Sequence, residues 1–143
     1  MDALDTQIIE LLKQNGRMTS SDISKCIHLS VPSVSDRIRK LEEKGVIEQF
    51  TLKLNRSVMG QAQMAYVSVM LDRTENVDNF RATIIKSIYV LECHHLAGEY
   101  DYMLKVAVPD ISALEQFISV SLKGIPGVSK TNTVIILSTL KEE

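Results

Sequence analysis

Little in this chain of 143 residues favours binding a polyanion by charge alone. Its 16 Lys and Arg face 18 Asp and Glu, a formal net charge of −2. That balance argues against a strongly basic nucleic-acid binder. It barely shifts along the chain: residues 1–54 carry eight basic and eight acidic side chains, residues 55–143 eight and ten. A single copy would hold DNA weakly, so affinity needs several heads acting together. Cysteine is scarce too. Cys26 and Cys93 lie far apart, each inside an apolar pattern. They read as reduced core thiols of a cytoplasmic protein, not as a disulfide or a metal pair. No apolar run approaches the roughly 20 residues needed to span a bilayer, so no membrane partner is expected. The acidic start Met1-Asp2-Ala3-Leu4-Asp5 lacks the character of a signal peptide. No Gly-rich phosphate loop is present, and no nucleophile stands beside a base at a recognisable spacing. No catalytic residue, no cofactor and no enzyme activity are therefore expected. His94 and His95 fall in a strand and face opposite ways. Glu92 shares a face with His94, but no metal-ligand spacing accompanies them.

What is present begins with helical punctuation. Asp2 is a plausible N-cap for a first helix with Leu4, Ile8, Leu11 and Leu12 inward, ended by Asn15-Gly16. Thr19-Ser20-Ser21-Asp22 has the form of a capping box. A second short helix follows, with Ile23, Cys26 and Ile27 inward. His28-Leu29-Ser30 then turns tightly into a third helix. There Ser30 is the N-cap and Pro32 sits in the first turn, where a missing N–H costs little. Val31, Val34, Ile38 and Leu41 make its apolar stripe. Ser33, Asp36 and Lys40 project opposite, flanked by Pro32, Arg37 and Arg39. Two helices joined by a turn of about three residues, the second with a polar leading face, make a helix-turn-helix. Gly45 ends the third helix. Val46–Leu54 is rich in strand formers and reads as a wing or a ribbon leaving the head.

Asn55–Gln61 breaks the pattern, and the linker is placed at 55–61 between domains 1–54 and 62–143. The second half reads as strand (Ala62–Leu71), helix capped by Asn76 (Val77, Phe80, Ile84, Ile85, Ile88 inward), strand (Val90–Ala97), turn (Gly98–Asp101) and strand (Tyr102–Val108). A helix opened by Pro109-Asp110 and a final strand (Val128–Leu140) complete it. The chain is thus α+β: a winged helix-turn-helix followed by a ferredoxin-like βαββαβ domain. A four-stranded sheet with helices on one face leaves the other to be covered, and a second copy is the economical cover.

With both halves placed, the chain resembles the Lrp/AsnC (feast/famine) transcription regulators over nearly its whole length. In the head the resemblance rests on Leu4-Asp5, Gly16-Arg17, Leu29-Ser30, Val34, Arg37-Ile38, Leu41-Glu42 and Gly45-Val46-Ile47. In the second half it rests on Ala97–Tyr102, Pro126-Gly127-Val128 and Thr131–Ile135. It implies DNA binding as a dimer through the third helix, and a RAM domain that dimerises and assembles toward octamers. It also implies an amino acid effector held between dimers near the Gly98–Asp101 loop and the last strand. The chain departs from the family pattern at Ser87–Val90, where Pro often precedes the valine, at Ser24, where Ala is common, and at Glu99, where Asp is frequent.

The candidate DNA-contacting residues are Ser30, Pro32, Ser33, Ser35, Asp36, Arg37, Arg39 and Lys40. Ser33 and Asp36 stand nearest base edges. Arg37, Arg39 and Lys40 reach phosphates or guanines. Asp36 either accepts from a cytosine amino group or orients Arg39 or Lys40 at i+3 or i+4. The candidate effector residues are Gly98, Glu99, Tyr100, Asp101, Thr131 and Thr133. Loop N–H groups would hold a carboxylate, Glu99 or Asp101 an ammonium group, and Tyr100 would wall the pocket. The same residues suit an ordinary turn, and the threonines an ordinary strand. Two other functions compete with the amino-acid-sensing regulator. One is an architectural protein that bends DNA without an effector. The other is an enzyme like the siroheme decarboxylases, which would need His94, His95 and Arg81 around one large cavity.

Overall fold

The computed structural model describes all residues, Met1–Glu143. The chain divides into two compact units, Met1–Lys53 and Leu54–Glu143.

The first unit holds three helices: α1 (Ala3–Gln14), α2 (Ser20–Ile27) and α3 (Val31–Glu43). Each begins on a side-chain cap. Asp2 and Asp5 satisfy each other's backbone N–H groups, as do Thr19 and Asp22. Reciprocal capping of this kind fixes where the chain enters a helix. His28 closes α2 in the left-handed region, at φ +55°. That backbone is uncommon for a non-glycine residue, though histidine visits it more often than most. Here it turns the chain sharply from α2 toward α3. Ser24 Oγ donates to the Leu29 carbonyl at 2.5 Å and holds the same turn. Ser24 therefore has a local structural use. Ile8, Ile23, Val34 and Leu41 form the core between the helices.

Three expectations for this unit need correction. Cys26 is exposed, because α2 is only eight residues long and Ile23 and Ile27 suffice to seat it. Val31, in the first turn of α3, is 42% exposed and lies outside the buried stripe. Val46–Leu54 forms no strand. After the two amides of Val46 and Ile47 bond back to Leu41, the segment finds no ladder partner within the chain. Phe50, Leu52 and Leu54 stay exposed.

The second unit starts with an ordered turn. Gln61 N–H donates to the Arg56 carbonyl at 2.8 Å, and the two side chains also meet. Then come β1 (Gln63–Leu71), one 3-10 turn, α4 (Val77–Ile84), β2 (Val90–His95), β3 (Tyr102–Val108), α5 (Ile111–Gln116) and β4 (Val128–Ile136). The sheet order is β2-β3-β1-β4, all antiparallel. This is the ferredoxin-like order. Past Gln116 the helix continues as a wider π turn to Leu122, with Lys123 N–H bonded to the Ile118 carbonyl five residues back.

Alternation sorts the sheet into two faces. Ala65, Val67, Val69, Leu104 and Val106 pack with Phe80, Ile84, Leu114 and Phe117. On the other face the register pairs Tyr66 with Lys105 and with Val134. Tyr66 and Val134 remain open there, 38% and 56% exposed. Two helix expectations fail. Asn76 does not cap α4; its amide donates to Asp72 instead. Ile85 and Ile88 are exposed, because α4 ends at Ile84 and the periodicity stops with it.

Candidate functional site

The front of α3 is built by its cap. Ser30 Oγ accepts from Ser33 N–H and donates to Ser33 Oγ at 2.8 Å, with Pro32 in the first turn. Ser35 Oγ donates to Ser20 Oγ at 2.9 Å, so Ser35 ties α3 to the start of α2. Pro32 and Ser33 are exposed, as are Arg39 and Lys40 about two turns on.

The charges along this front are all engaged. Asp36 Oδ1 lies 2.5 Å from Arg39 Nη2, and its Oδ2 lies 2.7 Å from Lys40 Nζ. Glu43 takes the other arm of Arg39 at 2.5 Å. Asp36 thus orients both cations at i+3 and i+4 in the free protein. Hydrogen bonds from Lys40 and then Arg39 hold its carboxyl below the usual range. Asp36 and Glu43 in turn push the Arg39 guanidinium up.

Arg37 is different. Its Nη1 bonds Asp5 at 2.6 Å and Asp2 at 2.8 Å, across to the capping box of α1. Both aspartates are held below the usual carboxylate range, first by each other's backbone N–H and then by Arg37. Arg37 therefore clasps α3 to α1 rather than standing with the outward cations. A groove of about 480 Å3 runs between these helices, with Asp2, Asp5, Ser33, Asp36, Arg37 and Lys40 in its wall.

The second candidate site lies at the β2–β3 turn. Asp101 is spent on the sheet. Its Oδ2 accepts from Leu71 N–H at 2.7 Å, its N–H donates to the Val69 carbonyl, and its carbonyl accepts from Leu96 N–H. The first two bonds fasten the turn to the end of β1, and the third closes it beyond β2. Gly98 has no such duty. Its φ is not positive, and a Cβ added there meets nothing within 4 Å. Glu99 and Tyr100 converge on Lys130 of β4. The ammonium is 3.7 Å from Glu99 Oε1 and 5.5 Å from the Tyr100 ring centroid.

Sequence reasoning did not single out Lys130, because only the register opposite Met70, set by the fold, brings it to the loop's end of the sheet. Thr131 and Thr133 pair with Val69 and Val67 and share the helix-covered face with them, half-buried. The loop and Lys130 come together; the two threonines follow the other face.

The remaining polar clusters are split by the sheet. His94 bonds Glu92 at 3.0 Å on the open face, where nearly buried Lys105 pairs with Glu92 and Glu142. His95 stacks on Tyr102 of the neighbouring strand, and Arg81 meets both, donating to Tyr102 Oη at 2.6 Å and lying 3.3 Å from His95 Nδ1. His94 and His95 thus open onto opposite faces, with Arg81 on the side of His95. No helix is long and apolar enough to cross a membrane.

Comparison with known proteins agrees with both halves of this geometry. Residues 1–48 match the winged helix-turn-helix DNA-binding model, and residues 64–143 match the Lrp/AsnC ligand binding domain. The chain is 31% identical to the leucine-responsive regulatory proteins of Salmonella typhimurium and Escherichia coli K12, over 99% of its own length and 88% of theirs. A transcriptional regulator from Neisseria meningitidis, solved as a complex with L-Met, superposes with a TM-score of 0.94. It is 27% identical, and the match covers 99% of this chain and 93% of that one. LrpC of Bacillus subtilis gives a TM-score of 0.90 at 29% identity, covering 100% and 99%.

Proposed function

The chain belongs to the Lrp/AsnC family of DNA-binding transcription regulators, and from that premise we propose how it works. The front of α3 contacts double-stranded DNA through Ser33, Asp36, Arg39 and Lys40, with Ser30, Pro32 and Ser35 shaping the approach. The observation that carries this is the exposed polar leading turn of α3, held in place by the cap and by the Arg37 clasp. Because each head is electrically neutral, the protein works as a self-assembled dimer or larger ring in the cytoplasm, several heads on one duplex. The open face of the sheet, with Tyr66 and Val134 exposed, favours a second copy there. It acts as a regulator rather than an enzyme.

An amino acid effector fits the Gly98 loop. Lys130 and loop N–H groups would take its carboxylate, Glu99 its ammonium, and Tyr100 would lie along its side chain. The support is the open space at Gly98 beside Glu99, Tyr100 and Lys130, which leaves room for a molecule to approach the backbone closely. The relative from Neisseria meningitidis binds L-Met, which makes methionine the first ligand to try.

The test is a thermal-shift screen against amino acids, repeated with Gly98→Val and Lys130→Gln. Asp101→Ala is unsuitable, since losing the bond to Leu71 would loosen the turn with or without a ligand. A ligand at about 100 times its dissociation constant should add roughly 2.7 kcal/mol. Stabilisation that both variants abolish supports the sensor. No response to any amino acid leaves a regulator that organises DNA without an effector.

A further inference from the structure

We propose that Asp36 determines specificity by holding binding to DNA in general down and relieving that restraint at a cytosine. The proposal rests on the reading of α3 as the DNA-contacting helix. In the free protein the two outward cations of this helix are already occupied. Lys40 is paired to Asp36, and Arg39 is shared between Asp36 and Glu43.

A phosphate that recruits either cation competes with a carboxylate already bonded to it. On an arbitrary sequence the displaced Asp36 is stranded beside the phosphates, like charge against like charge. It sits on the leading surface with Ser33 and Lys40 and lines the same groove. Where that surface meets a cytosine, the freed carboxylate accepts from the N4 amino group. One residue then does two things in sequence. It quenches the cations before binding, and it reads a base once they have moved to phosphate. Neutrality of the whole head works the same way: residues 1–54 have equal numbers of acids and bases, so little nonspecific attraction is left over.

The experiment is fluorescence anisotropy with the full-length protein over a salt series. The probes are one mixed-sequence duplex of about 30 base pairs, long enough for two half-sites a helical turn apart, and duplexes enriched by the wild type from a randomised pool. Asp36→Ala frees Lys40 and leaves Arg39 with Glu43. It should bind the mixed-sequence duplex more tightly, with a log–log salt slope steeper by about 0.9 for each engaged head, or about 1.8 for two. Measured from 1 M down to 0.1 M salt, two heads give about a 60-fold gain. Asp36→Ala with Glu43→Gln frees both cations and should steepen the slope by about 1.8 per head, or about 3.6 for two. Asp36→Asn should move the enriched base from cytosine to adenine, whose edge an amide pairs well.

Exposed ion pairs of this kind contribute little to stability, so the variants should keep wild-type helix content by circular dichroism. A slope unchanged in both Ala-containing variants overturns the proposal. So does an equal loss of affinity for mixed and enriched duplexes. If the wild type binds no duplex even at low salt, the DNA reading of α3 fails first, and that result is distinct from a wild type that binds but ignores Asp36.

Discussion

The two units keep themselves folded by different means. Met1–Lys53 rests on four buried side chains, on the ionic clasp of Arg37 to Asp2 and Asp5, and on the hydrogen-bonded cap of Thr19 with Asp22. Leu54–Glu143 encloses thirteen side chains between one sheet and two helices, so losing one of them still leaves a core. The difference follows from size. A unit of some fifty residues buries a smaller share of its surface than one of ninety. Its reserve, at about 0.05–0.15 kcal/mol per residue, is only about 3–8 kcal/mol. The head therefore spends Arg37, Asp2 and Asp5 on holding α3 to α1, and those three are then unavailable for a partner.

The strongest way to break the comparison is to remove one head core residue. Ile23→Ala, at a completely buried position, should remove about 2–5 kcal/mol, comparable with everything the head has. Hydrogen exchange should show α1–α3 opening together while β1, β3 and β4 stay protected, and DNA binding should vanish.

Gly127→Ala is the counterpart in the sheet unit. Gly127 has φ +91°, and a Cβ there would lie 2.6 Å from the Asn76 side chain. Strain and overlap together should remove about 2–3 kcal/mol. Denaturant melts should show the sheet transition moving earlier while the helices of the head keep their midpoint.

The smallest effect sharpens the contrast through pH. Asp2, Asp5, Asp22 and Asp36 all have folded-state pKa values below the ordinary range. Their stabilisation is complete above the unfolded carboxylate pKa, about 4. It is lost as pH falls through the lower folded values. In the sheet unit Glu92 is lowered, first by its hydrogen bond with His94. There Lys105 is raised, chiefly by its bond to Glu142. Its contribution is present below the ordinary lysine range and lost as pH climbs above about 10.5. Unit-resolved thermal melts should find the head the more acid-sensitive and the sheet unit the more alkali-sensitive. The shifts are modest because the head carboxylates are exposed and screened.

What the sequence disclosed was local. Asp2, Thr19, Ser30 and Asp110 each cap the helix that they were expected to cap, because a cap acts over three residues. The pairing of Asp36 with Arg39 and Lys40 likewise lies within one turn of helix. The order βαββαβ follows from period and punctuation. The resemblance to Lrp/AsnC regulators then placed the loop. What stayed hidden depends on residues far apart in the chain. Nothing near Arg37 marks it for Asp2, 35 positions earlier. Asp101 has the composition of a turn, yet its carboxylate serves Leu71, 30 positions earlier. Lys130 meets Glu99 only once β4 lies beside β1. Val46–Leu54 misled for the complementary reason. Its strand propensity is real, but a strand exists only when another strand accepts it.

That stretch without a strand partner has one more consequence. Between Glu48 and Leu54 the backbone pairs with no strand and the apolar side chains Phe50 and Leu52 are solvent-facing, which is what a protease needs to seat a substrate. Limited proteolysis should therefore cut the protein first between residues 48 and 54, releasing the helical unit from the sheet unit.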